Sequence, residues 1–205
     1  TEQTLNALME NDLAKDSVLY IYSDGCKDIT NNTLLKEISE VREIIRKKKW
    51  CKNVYITISN ENKGLAKSII SAVSEIVNRH GKVIVLEDDI VTSKGFLKYM
   101  NNALNFYQNE EKVMHISAYM HPHDQQLPET FFFEVPYPHG WATWRRSWIH
   151  FKDDASGLYS YFEDNRLWNS FNKFGGKLLQ KQLKANVDGK LNTWFIKWHS
   201  AMVKK

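Results

Sequence analysis

The stretch from Lys82 to Ile90, which reads Lys-Val-Ile-Val-Leu-Glu-Asp-Asp-Ile, limits what this chain can fold into more than any other. Its apolar, β-branched run is typical of a strand buried on both faces. Glu87, Asp88 and Asp89 then follow at the carboxyl end, where open α/β sheets bind ligands. Adjacent like charges are unfavourable unless a cation or a donor-rich ligand offsets them, and a divalent metal carrying a phosphate group would do so. A plain alternative stays open, in which Asp89 or Ser93 caps the next helix and the other acids are solvated.

Helices and strands alternate before this stretch. Alternating and β-branched residues predict strands over 17–23 and 53–59, and apolar residues at helical spacing predict amphipathic helices over 34–45 and 65–77. This order favours βαβ units and a mainly parallel sheet. A helix over 5–13 opens the chain with no strand before it, so we expect the first strand of the sheet to lie outside this chain.

The pattern changes after residue 118. A helix predicted over 93–109 and a strand over 113–118 are followed by a polar loop, a short apolar strand over 131–135 and a tryptophan-rich segment. We find no clean linker and no internal repeat. The simplest prediction is one domain over 1–205, with a nucleotide-binding type of α/β half over 1–118 and an aromatic-rich half over 119–205.

Composition and charge exclude several classes of function. With 205 residues, 42% of them apolar, the chain can form a real core as one domain. The net charge is +4 and the cations are spread along the chain, apart from Arg46 to Lys49 at the end of a predicted helix, where they complement the dipole. We therefore predict no nucleic-acid partner.

The cysteines and the hydropathy pattern indicate the cellular compartment of the protein. Cys26 and Cys51 lack CxxC spacing, which argues against a disulfide framework or a zinc site and favours a reducing compartment. No apolar stretch is as long as a membrane span. We expect a cytoplasmic protein, and peripheral association with a membrane stays open.

Two interpretations stay open for the tryptophan-rich segment, in which Trp141, Trp144 and Trp148 are separated by three and four residues. The rings could line one face of a helix and serve only as core. Alternatively, indole faces stack on a sugar ring or a base while Arg145 and Arg146 meet anionic oxygens.

Three histidines lie close to this segment. His121 and His123 could join a metal site, although loop histidines are more often solvated. His115 falls inside a predicted strand, and we expect a hydrogen-bonded core residue there.

Several segments, in the right order, resemble the GT-A glycosyltransferases. They are Lys82–Val91, the following Gly95-Phe96-Leu97, and Ile116-Ser117-Ala118. The nearest group is related to the N-acetylglucosaminyltransferase that initiates complex N-glycans, together with bacterial sugar transferases of the family 2 type. The segments Gly140-Trp141-Ala142-Thr143-Trp144 and Asn192-Thr193-Trp194 are similar to later motifs of the bacterial relatives. The resemblance implies a GT-A fold, with a mainly parallel central sheet flanked by helices.

The resemblance also implies roles for individual acids. In this family the last acid after the central strand ligates Mn2+ or Mg2+, which corresponds to Asp89, while Glu87 and Asp88 match acids that contact the nucleotide sugar. Asp24 matches an acid at the end of the second strand that hydrogen-bonds the nucleotide base. Nothing matches the family's first strand, and the family's sequence usually continues past Trp198, so we expect this chain to be cut at both ends.

The resemblance further implies the substrates. The expected donor is a nucleotide sugar, most simply a UDP-sugar, and the expected acceptor is a glycan or a lipid-linked saccharide. Trp141, Trp144 and Arg145 are the predicted acceptor-binding residues.

The general base is not carried over by the resemblance. An inverting displacement needs a base, normally a carboxylate, but the matching positions are Asn192 and Thr193, which cannot serve. Asp188, Glu163 and Asp164 are the substitutes that we predict. The sequence thus favours a metal-dependent, inverting glycosyltransferase, with a catalytically silent nucleotide- or glycan-binding module and a metal-dependent phosphoesterase as alternatives.

Overall fold

The computed structural model describes residues 1–205 as a mixed α/β protein with nine helices and two small sheets. The strands are Val18–Ser23 (β1), Asn53–Ile58 (β2), Lys82–Val85 (β3), Ile116–Ser117 (β4) and Trp141–Trp144 (β5). The helices are Glu2–Met9 (α1), Asn32–Arg46 (α2), Leu65–His80 (α3), Phe96–Phe106 (α4), Arg145–Trp148 (α5), Ala155–Asp164 (α6), Trp168–Phe171 (α7), Lys177–Val187 (α8) and Trp194–Lys204 (α9).

The strands form one parallel pair and one antiparallel trio. β1 and β2 are parallel and in register from Val18 opposite Asn53 to Ser23 opposite Ile58. In the second sheet β5 lies between β3 and β4 and is antiparallel to both. The prediction of a mainly parallel sheet is confirmed only for the first pair, because the return from β4 to β5 reverses the chain direction.

Helix α3 contacts both sheets, and its contacts show the relative direction of their strands. The Tyr20 hydroxyl lies 2.8 Å from the His80 Nε2 atom, and the Tyr22 hydroxyl donates to Glu75 at 3.0 Å, so β1 runs antiparallel to α3. Gly81, with a φ of 78° that favours glycine, ends α3 and turns the chain directly into β3, which packs back along the same helix. β1 and β3 therefore run in the same direction and end on the same side, although they do not pair with each other.

The core lies on both faces of the strands. Trp141 packs with Val73 and Val77 of α3 and with the indoles of Trp194 and Trp198 of α9. On the opposite face, a second cluster joins Trp144 to residues of α1 and α4, namely Leu8, Phe96, Met100 and Leu104. Helices thus cover both faces, as an α/β layer arrangement requires.

The tryptophan segment is a strand and not a helix. In a strand, side chains three residues apart point to opposite faces, which explains why Trp141 and Trp144 belong to different core clusters. Of the other two tryptophans in this segment, Trp148 of the short α5 shares a cluster with Trp141 and Trp144 does not. The strand β5 also pairs with β3 and β4, so the two halves predicted from the sequence share one sheet.

Local predictions were confirmed where apolar periodicity was strong. The four predicted elements over 17–23, 34–45, 53–59 and 65–77 all occur. The central strand is shorter than predicted and ends at Val85, and its first three residues are only half-buried. Residues 131–135 form no strand, because Phe131, Phe132 and Phe133 project from an extended loop instead of pairing.

The helices are too short or too polar to span a membrane; the longest has 16 residues.

Candidate functional site

Three chain segments meet at the end of the second sheet. Trp141, the first residue of β5, lies opposite Val85, the last residue of β3, and also opposite Ser117 at the end of β4. The Ala118 N–H donates to the Gly140 carbonyl at 3.0 Å, which extends the β4–β5 contact toward the loops. The acids that follow β3, the residues that follow β4 and the residues that precede β5 are therefore neighbours.

The acidic residues form a turn that helix α1 holds in place. The Ile90 N–H donates to the Glu87 carbonyl at 3.2 Å, which closes the turn. The Thr4 hydroxyl of α1 donates to the Asp88 carbonyl at 2.7 Å, and the Thr1 hydroxyl lies 3.3 Å from the Asp88 carboxylate. These bonds fix the backbone of the turn.

The carboxylate of Asp89 has no bonding partner within the chain. Its side chain is exposed and makes no hydrogen bond or ion pair with the rest of the chain. The alternative in which Asp89 or Ser93 caps the next helix is wrong, because the N-cap residue of α4 is Gly95 and the side chain that accepts from its first turn is that of Asn11, which takes the Leu97 N–H at 2.9 Å. The structure therefore leaves the Asp89 carboxylate free for a ligand.

The surroundings of Glu87 change the pKa of its carboxyl group. Its side chain is half-buried, and this burial, together with the negative charges of Asp89 and Asp88, raises its pKa. The Trp194 indole beside Glu87 opposes part of that rise. Burial is the larger cause of the rise and repulsion from Asp89 and Asp88 the smaller one, and a cation bound at this turn would relieve that repulsion.

Asp24 lies at the same end of the molecule, at the end of β1. Its carboxylate accepts backbone N–H bonds from Gly25 at 2.9 Å, Lys63 at 2.9 Å and Gly64 at 2.8 Å. Burial raises the pKa of Asp24, but these N–H bonds outweigh burial and hold the pKa below its ordinary value. The carboxylate stays charged and ties β1 to the loop after β2.

The predicted acceptor-binding residues are not assembled at this site. The Trp144 backbone lies opposite Lys82 and the Arg145 N–H donates to the Gly81 carbonyl at 2.8 Å, which places both at the start of β3. The acids lie beyond the other end of that strand, so more than about 10 Å of strand length separates them from these residues. Trp141 is at the correct end but is 0% exposed, so none of its surface can stack on a sugar. The core interpretation accounts for both tryptophans.

The predicted substitutes for the general base lie on the helices of the second half. Asp188 follows α8 and forms ion pairs with Lys184 and Lys190, and the hydrogen bond from Lys184 lowers its pKa, which makes it a weaker base. Glu163 accepts the Trp168 indole N–H at 2.5 Å. Asp164 is exposed at the end of α6. None of the three bonds to the acidic turn.

His115 is hydrogen-bonded, as predicted, and is partly buried. The Trp198 indole N–H donates to its Nδ1 atom at 3.2 Å, so this nitrogen is an unprotonated acceptor. Its Nε2 atom lies 3.1 Å from the Tyr137 carbonyl and must carry the proton. The imidazole also stacks on Trp141, with ring centres 5.2 Å apart.

Two features at this end of the sheet were not predicted from the sequence. The first is Trp194, whose ring stacks on Trp141 at 4.9 Å and whose indole reaches Glu87. The second is a group of aromatic and histidine side chains from the loop between β4 and β5. The only signal for the loop group was the density of aromatic and histidine residues between 119 and 139.

Comparisons with protein-family models, with curated proteins and with solved structures give no match to this chain. A function for the acidic turn therefore rests on its geometry and on the sequence resemblance.

Proposed function

We propose that this chain is a metal-dependent, inverting glycosyltransferase of the GT-A type, which moves a sugar from a nucleotide donor to a glycan or a lipid-linked saccharide. The observation that supports it most is the exposed, uncommitted carboxylate of Asp89, next to Glu87 with its raised pKa. A divalent cation bound together with a nucleoside diphosphate would supply the positive charge that this turn lacks.

The arrangement of the strands is compatible with this fold. β1, β2, β3 and β4 all run in one direction, and β5 alone is reversed. β1 and β3 each have one unpaired edge; β3 packs on α3, and β1 is hydrogen-bonded to α3 through Tyr20 and Tyr22. A strand between these two edges would join all five strands into one mainly parallel sheet, as the resemblance implies.

The side chains of the acidic turn fit an Mn2+ or Mg2+ ion that is held by one carboxylate together with substrate phosphates and water. No group of three or more His, Cys, Asp or Glu residues is arranged to hold a metal ion. Mg2+ often binds through one or two carboxylates together with substrate phosphates and water, and Asp89 can supply such a carboxylate. When bound, the metal would offset the negative charge that develops on the leaving diphosphate.

A specific observation supports the silent binding module as the second candidate. Asn192 accepts a hydrogen bond from Lys197 at 3.0 Å, and Thr193 is bonded to Asn186 through its backbone and its hydroxyl. The motif that matches the position of the base in the resembling family therefore serves here to fix the start of α9. A module without a base would bind the donor and leave it intact.

Replacement of Asp89 by asparagine tests the donor site. Thermal shifts are measured with UDP and UDP-sugars, each with Mn2+, with Mg2+ and with a chelator. Saturation at about 100 times the dissociation constant stabilises the folded state by about 2.7 kcal/mol, so we expect a clear metal-dependent rise in melting temperature for the unaltered chain and none for Asp89→Asn.

Asp16→Asn is the matched control. Asp16 lies just before β1, at the opposite end of that strand, and its side chain has no partner. We expect it to keep the full shift. An Asp89→Asn variant with an undiminished, metal-dependent shift would overturn the assignment of the donor site.

A further inference from the structure

Six aromatic and imidazole rings form a continuous strip on the loop side of the acidic turn. We name it the aromatic strip, and in spatial order it consists of Phe174, Phe133, Tyr137, His121, Tyr119 and His139. Consecutive ring centres are 5.1, 5.8, 5.2, 5.1 and 4.9 Å apart. Phe133 and Tyr137 are stacked with only 4° between their planes.

The strip is exposed to solvent, unlike the tryptophans of the core. Phe174 is 49% exposed, Phe133 40% and Tyr119 38%. Apolar surface that is contiguous and exposed is unusual on a soluble domain and marks a place where something binds. Core packing does not explain the strip, because the three clusters of buried side chains around β5 and α6–α9 are complete without Phe133, Tyr119 or Phe174.

The strip also carries polar atoms that face its rim. The Tyr119 hydroxyl bonds to Nδ1 of His121 at 3.2 Å, which leaves Nε2 of His121 without a partner. The Tyr137 hydroxyl and both nitrogens of His139 have no hydrogen bond within the chain. Apolar ring faces next to free donors and acceptors match the surface of a sugar, which has C–H faces and hydroxyl edges.

Charge argues against an anionic ligand. The ammonium of Lys173 lies 5.0 Å from the ring centre of Phe174, at one end of the strip. It is already paired with Glu134 at 2.7 Å. A phosphate-bearing ligand such as a nucleic acid or a phospholipid headgroup would find this ammonium already paired, whereas a neutral saccharide needs no cation.

One end of the strip adjoins the segment that leads from β3 into the acidic turn. His139 precedes Gly140, and a Cβ atom placed on Gly140 would lie 3.6 Å from the Leu86 side chain. Leu86 is the residue before Glu87. A chain of sugar rings lying along the strip would therefore present its terminal sugar beside the acids.

We infer that the aromatic strip binds a neutral oligosaccharide, several sugar units long, as the acceptor of the transfer reaction. That the oligosaccharide is an acceptor rests on the proposed function. Its binding to the strip does not depend on a donor. It assigns the acceptor to Tyr119, Phe133 and Tyr137 instead of Trp141, Trp144 and Arg145.

The test is an array of neutral glycans, followed by titration of the best binder as a series of increasing chain length. We expect affinity to rise with each added sugar until the strip is covered. Tyr119→Ala and Phe133→Ala are each expected to weaken binding about three- to tenfold. Phe106→Ala, which removes a ring that is 81% exposed and outside the strip, is expected to leave binding unchanged.

The metal-dependent thermal shift with UDP-sugar is recorded on the same variants, and we expect it to be unchanged. If the donor binds but no neutral glycan does, or if Phe106→Ala weakens glycan binding as much as Phe133→Ala, the inference is wrong and the proposed function stands. Binding of anionic vesicles in place of glycans would also overturn it. If glycans bind along the strip but no donor binds, the proposed function fails and the strip is a glycan-binding site only.

Discussion

Replacing Trp141 by alanine is expected to destabilise the protein by about 3–5 kcal/mol. The indole is 0% exposed and is held between His115 at 5.2 Å and Trp194 at 4.9 Å. The walls of the resulting cavity belong to β5, α3 and α9, so they cannot easily collapse. Urea unfolding at neutral pH measures the loss.

Two phenylalanine variants separate the packing of these rings from their hydrogen bonds. The Trp141 indole nitrogen has no partner, whereas the Trp198 indole donates to His115. We therefore expect Trp198→Phe to cost more than Trp141→Phe, since it leaves a buried acceptor unsatisfied. A small effect of Trp141→Ala would show that the ring is not a core residue and would reopen its assignment to the acceptor site.

Lowering the pH from about 6.5 to about 4 is expected to remove about 3 kcal/mol of stability through His115 alone. Desolvation lowers the pKa of His115 from 6.5 to about 4, and the hydrogen bond to the Tyr137 carbonyl opposes only part of this effect. In that pH range the imidazole is neutral in the folded state and protonated in the unfolded state. The unfolded state binds more protons, so stability falls as the pH falls.

The His115→Gln variant isolates this contribution from that of the carboxylates, which also titrate in acid. We expect the variant to be less stable than the unaltered chain at pH 7 and to lose less stability between pH 6.5 and 4, as measured by urea unfolding at several pH values. His123→Gln, at an exposed loop position, is the control and should follow the unaltered chain. Identical pH dependence in His115→Gln and the unaltered chain would contradict the assigned protonation state.

The local elements could be predicted from the sequence because their signals are local. The helices α2 and α3 repeat apolar residues at helical spacing, and β1 and β2 show the apolar character of strands, so all four were located to within a few residues. The position of the acids after the central strand was predictable for the same reason. These signals need no knowledge of what each element packs against.

The direction of β5 and the role of its tryptophans could not be predicted in the same way. A spacing of three residues fits one face of a helix as well as opposite faces of a strand, and only the pairing of Trp141 with Val85 decides between them. That pairing joins residues more than fifty positions apart. The burial of Trp141 and the distance of Arg145 from the acids both follow from it.

The aromatic strip was missed for a different reason. Its residues lie in a loop without periodicity and come from two separate segments, so Phe174 meets Phe133 only in the folded chain. The sequence singled out His121 as a possible metal ligand, whereas in the structure its ring lies between Tyr119 and Tyr137. Composition alone cannot reveal which rings of an aromatic-rich loop remain exposed.

The transfer of a sugar from a nucleotide donor to an oligosaccharide is the reaction to measure. A UDP-sugar is incubated with the chain, a neutral oligosaccharide that binds the strip, and Mn2+ or Mg2+, and the products are analysed by mass spectrometry. We predict that the oligosaccharide gains the mass of one sugar, that UDP is released, and that both are lost with a chelator and in Asp89→Asn. A donor that binds and remains intact would contradict the transferase and identify a silent module, and release of phosphate from simple esters would identify a phosphoesterase instead.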